Sequence, residues 1–321
     1  MHPDSFEPKQ LAQGRKHTLD LEFNVGNHQV TIPLFVFRGA RKGKVLVVMS
    51  GVHGDEYEGP RAILDVCATL DPAEMAGDMI AAPVAHPPAF WAGTRTSPLD
   101  GRDLARTFPG DPTSSPTCAI AYYLGKTVIA RADFFADLHS GGVKYSMPTM
   151  AGYDGTDPRS RSGAQAFGAR IIWEHPTTAP GRTLSFAKDH GIPSMYTEAN
   201  GAGRIDPEDL RVFKQGVINL LKHLSILPGQ PVTRTVECRL SGDGNTDLSL
   251  RATRGGFLIP LVALLDKVKK GQELGKLVDL HGSTIETYLA PSDGLVGMVR
   301  EFPVVEPDSI MFLVTGLDSQ T

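Results

Sequence analysis

Two short stretches carry side chains whose types and spacing can do chemistry. Ser50-Gly51-Val52-His53-Gly54-Asp55-Glu56 sets a histidine and a carboxylate at H-x-x-E spacing. Asp137-Leu138-His139-Ser140-Gly141-Gly142 sets a second histidine just after an apolar run. His53, Glu56 and His139 supply two imidazoles and one carboxylate, the ligand set of a hydrolytic zinc site with an open fourth position. One Zn2+ per chain is therefore expected. Such an ion lowers the pKa of water to about 7 and polarises a carbonyl. Amide hydrolysis also needs a group that takes a proton from the water and returns it to the leaving nitrogen. Glu198, at the end of Met195-Tyr196-Thr197-Glu198, is the candidate general acid and base. Arg95 and Arg106 lie in one long stretch, 91–112, rich in Pro, Gly, Ser and Thr. Their guanidinium forks suit a substrate carboxylate and a developing oxyanion. Asp137, two residues before His139, is left open between holding that imidazole and facing away from it. Asp55 and Glu58 do not fit the H-x-x-E step and read as surface acids or as supports for the ligand loop. Tyr145, Trp91 and His175 read mainly as packing, and Arg204 as part of a glycine turn.

These residues need elements to bring them together. The run 44–49 is β-branched and apolar and reads as a buried parallel strand, with His53 and Glu56 in the loop beyond its carboxyl end. Open α/β sheets place their ligands there. The run 133–138 is a second such strand and delivers His139 to the same edge. Residues 18–38 alternate apolar and polar around a turn at Asn24-Val25-Gly26-Asn27-His28, which predicts an antiparallel hairpin. Helices are expected over 60–70, 117–130, around 164–167, over 183–190 and over 207–224. Strands are expected over 78–84, near 147–151, and over 169–173 and 193–198. This alternation predicts an α/β fold, a mostly parallel sheet covered by helices on both faces.

The chain has 321 residues, which suits two domains better than one. Leu227-Pro228-Gly229-Gln230-Pro231 reads as a linker. The expected division is a catalytic region at 1–228 and an all-β barrel or sandwich at 229–321, where helical spacing gives way to short strands between glycines. A 41% hydrophobic and 21% charged composition provides for a buried core. The net charge of −4, without a basic tract, argues against nucleic-acid or membrane-surface partners. No 18-residue apolar span occurs, and the first residues lack the basic and apolar stretches of a signal peptide. Cys67, Cys118 and Cys238 are scattered, as in a reduced, cytoplasmic protein.

Four motifs occur in order: 51–56, then Ser97-Pro98-Leu99-Asp100-Gly101-Arg102-Asp103-Leu104-Ala105-Arg106-Thr107-Phe108-Pro109-Gly110, then 137–141, then Thr197-Glu198-Ala199-Asn200-Gly201. Over residues 30–315 the chain resembles the succinylglutamate desuccinylase/aspartoacylase family, relatives of the zinc carboxypeptidases. Within it the bacterial branch that includes N-acetyl-diaminobutyrate deacetylase is most similar. The resemblance implies a zinc-carboxypeptidase-like mixed sheet and a zinc-dependent deacylase acting on a small N-acyl amino acid. It implies His53, Glu56 and His139 as ligands, Glu198 as the catalytic glutamate, Arg95 as the group polarising the scissile carbonyl and Arg106 as the substrate-carboxylate anchor. The family reads Asp-Leu-Asn-Arg where this chain reads Asp103-Leu104-Ala105-Arg106, so either the substrate differs or another residue covers the role of the Asn, and the reaction is left intact. The C-terminal region resembles a biotinyl/lipoyl half-barrel, but its 291–294 turn has no lysine to modify. Covering the active-site mouth, or contacts in a homo-oligomer, is the expected use of that region. A carboxypeptidase-type exopeptidase and a non-catalytic carrier are the alternative readings.

Overall fold

The computed structural model describes residues 1–242, 246 and 249–317. The first part of the chain opens on a hairpin and then alternates strands with helices. Strands β1 (Arg15–Val25) and β2 (His28–Arg38) form the hairpin, with Val25 opposite His28 across the turn. They lead to β3 (Arg41–Ser50), α1 (Glu58–Thr69), β4 (Ala76–Ala82), α2 (Pro87–Ala92) and α3 (Pro116–Tyr123). Then come β5 (Phe134–Leu138), β6 (Tyr145–Ser146), β7 (Met150–Asp154), α4 (Pro158–Phe167) and β8 (Ile171–His175). The last elements of this part are α5 (Thr183–Asp189), β9 (Ser194–Glu198) and α6 (Pro207–His223).

The sheet runs β1-β2-β4-β3-β5-β9-β7-β8. β3 is parallel to β4 and β5, β5 is parallel to β9, and β7 runs antiparallel to β9. The result is the mixed, mostly parallel sheet with helices on both faces that the sequence predicts. Alternation along β3 shows why both faces are covered. Val47 and Met49 join the core under the hairpin and α3, while Leu46 and Val48 join the core under α1, α4 and α6. A strand buried on both sides must read as a continuous apolar run. Among the described residues no helix is long and apolar enough to cross a membrane.

One helix differs from its expectation. The apolar run over 117–130 is α3 only as far as Tyr123, then a wider π turn (Leu124–Val128) and a 3-10 turn (Ile129–Arg131). The wide turn holds Gly125 against the Phe186 ring, where a Cβ would lie 2.8 Å from the aromatic carbons.

The C-terminal strands are β10 (Cys238–Ser241), β11 (Leu250–Arg251), β12 (Gly256–Pro260), β13 (Lys267–Val268), β14 (Glu273–Val278) and β15 (Thr284–Leu289). They end with β16 (Gly294–Arg300), β17 (Val304–Val305) and β18 (Ile310–Leu317). β15, β14, β12 and β17 make a separate antiparallel sheet. The others do not stand apart from the main sheet. β10 runs parallel to β8 and antiparallel to β18, so the large sheet continues through β10-β18-β16-β13.

Candidate active site

The carboxyl ends of β3, β5 and β9 lie side by side, and the loops beyond them carry the chemistry-bearing residues. After β3 the chain must turn at once. Gly51 takes a φ of +63°, and a Cβ on it would lie 3.0 Å from the Val84 Cα, so the position suits a residue without one. The turn brings His53 and Glu56 under the end of β5, where His139 begins the next loop.

His53 Nδ1 lies 2.6 Å from Glu56 Oε1, and His139 Nδ1 lies 3.0 Å from Glu56 Oε2. All three side chains are buried, and their ligand atoms fall within 4.8 Å of one another, a group that can hold a metal ion. The outward nitrogens are held as well. His53 Nε2 meets Asp103 Oδ1 at 3.1 Å, and His139 Nε2 meets Asp137 Oδ2 at 3.0 Å. Asp137 is in turn fixed by the Thr183 hydroxyl, which donates to it at 2.6 Å. Both imidazoles therefore offer Nδ1 inward and are oriented through Nε2 by a carboxylate, as metal-binding histidines commonly are.

Electrostatics fit that use. Burial works to raise the Glu56 carboxyl, but the two imidazoles outweigh it and hold it well below the usual carboxylate range. Burial works to lower His139, and Asp137 with Glu56 overcomes it and raises it well above its ordinary value. For His53, burial and Arg95 act downward, and Glu56 with Asp103 raises it on balance. Without a metal, imidazole protons balance the buried carboxylates. A dication would take over that balancing charge, so the donor set suits one.

Glu198 completes the group. It lines the same cavity of about 350 Å³, and its Oε2 is buried without a hydrogen-bond partner among the described residues. Burial, with the Glu56 charge adding to it, pushes its carboxyl up to about 8. Arg95 spans the site, its Nη1 3.7 Å from Glu56 Oε1 and its Nε 3.4 Å from Asp103 Oδ2. Arg106 and Ala105 both line the cavity. The structure thus brings together His53, Glu56, His139, Glu198, Arg95, Arg106 and Asp137.

Other residues fall elsewhere. Asp55 and Glu58 are buried and not on the surface. Asp55 Oδ2 accepts from Val143 N, and Glu58 Oε1 accepts from Gly201 N, so the two acids tie the loops after His139 and Glu198 to the ligand loop. Tyr145 and His175 line the cavity, whereas Trp91 is 83% exposed and does not pack as expected. Arg204 is exposed and not among the lining residues. Asp103 has contacts that sequence reasoning left out. It sits in the quoted motif 50 residues from His53 and caps a short helical turn (Leu104–Arg106), accepting the Ala105 N–H at 2.9 Å.

The catalytic-domain model of the succinylglutamate desuccinylase/aspartoacylase family matches residues 42–224. N-alpha-acetyl-L-2,4-diaminobutyric acid deacetylase of Halomonas elongata is 32% identical over 282 residues, covering 85% of this chain and 82% of the relative. A succinylglutamate desuccinylase/aspartoacylase structure from Rhodobacter sphaeroides superposes with a TM-score of 0.84 at 28% identity, covering 95% of this chain and 96% of the other. The product-bound ectoine utilization protein EutE (DoeB) of Ruegeria pomeroyi gives 0.85 at 28% identity, covering 94% and 95%. With the order of its four motifs and the convergence of their side chains, this chain belongs to the succinylglutamate desuccinylase/aspartoacylase family, enzymes that hydrolyse non-peptide carbon–nitrogen bonds.

Proposed function

We propose that this protein is a zinc-dependent deacylase that cleaves a small N-acyl amino acid into a carboxylate and a free amine. The observation that carries the reading is the meeting of His53, Glu56, His139 and Glu198 at one cavity. Two imidazoles and a carboxylate suit zinc better than the oxygen-seeking magnesium or calcium. A zinc ion held by His53, Glu56 and His139 would supply Lewis acidity toward water and the acyl carbonyl.

The chain's own residues do the rest. Asp103 and Asp137 fix the two imidazoles, so Nδ1 of each faces inward. Glu198, with its unpartnered oxygen, accepts a proton from the attacking water and returns it to the leaving nitrogen. Burial and the Glu56 charge raise its carboxyl and a bound dication would act against them, so the group can both take a proton and give it back near neutral pH. Arg95 places positive charge where the acyl oxygen becomes negative. Arg106 anchors the substrate carboxylate, and Ala105 beside it leaves room where the family has an asparagine amide.

The test is a metal assay with a substrate panel. Purified protein should hold about one zinc per chain, lose activity with a chelator and regain it with zinc. N-acetyl amino acids, including acetylated diaminobutyrate, should be cleaved in preference to blocked dipeptides. Absence of any transition metal, with activity unchanged by chelation, would sink the reading.

A further inference from the structure

Tyr145 enters the active-site cavity on a strand that the C-terminal region holds in place. β6 pairs antiparallel with β16, Ser146 opposite Val299 and Tyr145 opposite Arg300. Glu301 N–H donates to Lys144 O at 2.8 Å, and the Ser146 hydroxyl donates to Glu301 Oε1 at 2.7 Å. On its other side Ser146 bridges Gly201, in the loop beyond Glu198, and Met147 N–H donates to Asn200 O at 3.1 Å. β6 is thus a strap between the catalytic loops and the C-terminal sheet.

Across the strand pair from Tyr145 lies a buried cation. Arg300 is 3% exposed, and among the described residues no carboxylate pairs with it. Its Nη2 donates to Val304 O at 2.6 Å, and its guanidinium carbon lies 5.8 Å from the centre of the Tyr145 ring. A buried charge without a counter-ion is costly unless other groups stabilise it, and the negative face of an aromatic ring is such a group. The effect is mutual, because a cation against the ring draws electron density from the phenol and strengthens its O–H as a donor. That hydroxyl belongs to a residue lining the cavity beside Gly141 and Met147, and it has no hydrogen-bond partner among the described residues.

We propose that the Tyr145 hydroxyl donates a hydrogen bond to a carboxylate oxygen of the substrate, and that Arg300 is a positioning residue acting through the Tyr145 ring. The inference rests on the reading of the substrate as an N-acyl amino acid. It makes the C-terminal region part of substrate recognition.

The experiment compares the intact zinc-loaded enzyme with Tyr145→Phe, Arg300→Met and the double variant. The probes are the best N-acetyl amino acid of the panel and its carboxamide counterpart. Tyr145→Phe should keep its zinc and melting temperature and lose about tenfold in kcat/KM on the acid, mainly through KM, the scale of one hydrogen bond to a charged group. On the carboxamide the loss should be under about twofold. Arg300→Met should lower kcat/KM for the acid when Tyr145 is present and change it little in the Tyr145→Phe background, as a residue acting through another must. An unchanged Tyr145→Phe enzyme overturns the proposal, as does an equal loss on acid and amide, or an Arg300→Met penalty that persists in full without the hydroxyl. Should Arg300→Met fail to fold, the Tyr145→Phe comparison of acid with amide decides alone. If the native enzyme cleaves no N-acyl amino acid, the deacylase reading fails and this inference falls with it.

Discussion

Glu56 and Glu198 are two carboxyls that the same cavity drives in opposite directions. Glu56 touches both imidazoles and stays ionised, while Glu198 meets burial and the Glu56 charge and is pushed up to about 8. Pairs of acids separated in this way commonly divide into a permanent charge and a proton carrier. Glu198→Gln should therefore keep its zinc and lose activity by roughly 10² or more, the usual contribution of a general acid/base. The sign of the pH effect follows from the same group. As a base it must be ionised, so kcat/KM should fall as pH drops through its ionisation. A bound dication favours the carboxylate, so this acid limb lies below 8. A bell-shaped profile in the native enzyme and a flat residual rate in Glu198→Gln are the expected curves, and near-normal turnover in the variant would move the role to another residue. The imidazoles give a second expectation. Both are raised above their ordinary value without metal, so a bound ion must displace protons from them. Zinc binding to the metal-free protein should release protons near neutral pH, and apparent affinity should climb with pH. Calorimetry in buffers of different ionisation enthalpy measures the number, and zero would mean that the histidines are not the ligands.

The segment between α2 and α3 shows how one short element can serve three residues of the site. Asp103 accepts from the Ala105 N–H, from His53 Nε2 and, through its other oxygen, lies 3.4 Å from Arg95 Nε. Burial acts to raise it, and His53, Arg95 and Arg106 together hold it far below the usual carboxylate range. Asp103→Ala removes the cap of the turn and the partner of His53 at once. Zinc affinity should fall about 10–100-fold, the usual cost of losing a group that orients a metal ligand, as a chelator competition would show. Unaltered affinity would mean that the loop holds His53 by packing alone. This element also marks where sequence reading stops. The hairpin of β1 and β2 was legible as an antiparallel pair, because period-2 alternation runs on both sides of the Gly26 turn, and the structure adds its register. The strands that deliver His53, His139 and Glu198 were legible as apolar runs ending beside chemistry. Contacts between residues 50 positions apart have no periodicity, so Asp103 against His53 could not be read. The placement of Asp137 stayed open for a local reason, since its direction relative to His139 depends on where the strand ends and the chain bends, and it ended on His139 Nε2. The extent of the helix over 117–130 was hidden because the run is apolar almost throughout, with Lys126 its one charge, so no polar stripe times its turns. For Asp55 and Glu58 the sequence left surface and support open, because charge alone does not tell exposure from a buried acceptor; each accepts a backbone N–H from a catalytic loop and so supports the ligand loop.

At the scale of the whole molecule the two regions share one sheet and one of its cores. The linker composition at 227–231 suggests a boundary, but β10 follows it and pairs with β8 as any inner strand would. Met150 and Trp173 from the catalytic region pack with Leu240, Leu295, Met298 and Leu313 from the C-terminal one. The Trp173 indole N–H donates to Gly242 O at 3.2 Å, across the same junction. Removing everything after Pro228 would bare the β8 edge and uncover this cluster. Each large apolar side chain so exposed costs about 1.5–3 kcal/mol. Several together rival the roughly 5–15 kcal/mol that typically holds a domain folded. The 1–228 fragment should therefore be insoluble or largely unfolded, and the intact protein should melt in one transition with equal calorimetric and van't Hoff enthalpies. Two well-separated transitions, or a folded fragment that binds zinc as tightly as the full chain, would show the regions to be independent. One transition is also what the strap through Tyr145 and Ser146 requires. A C-terminal sheet that loosened before the catalytic region would release β6 from β16 while the metal ligands stayed in place, and the cavity would lose a wall before it lost its chemistry.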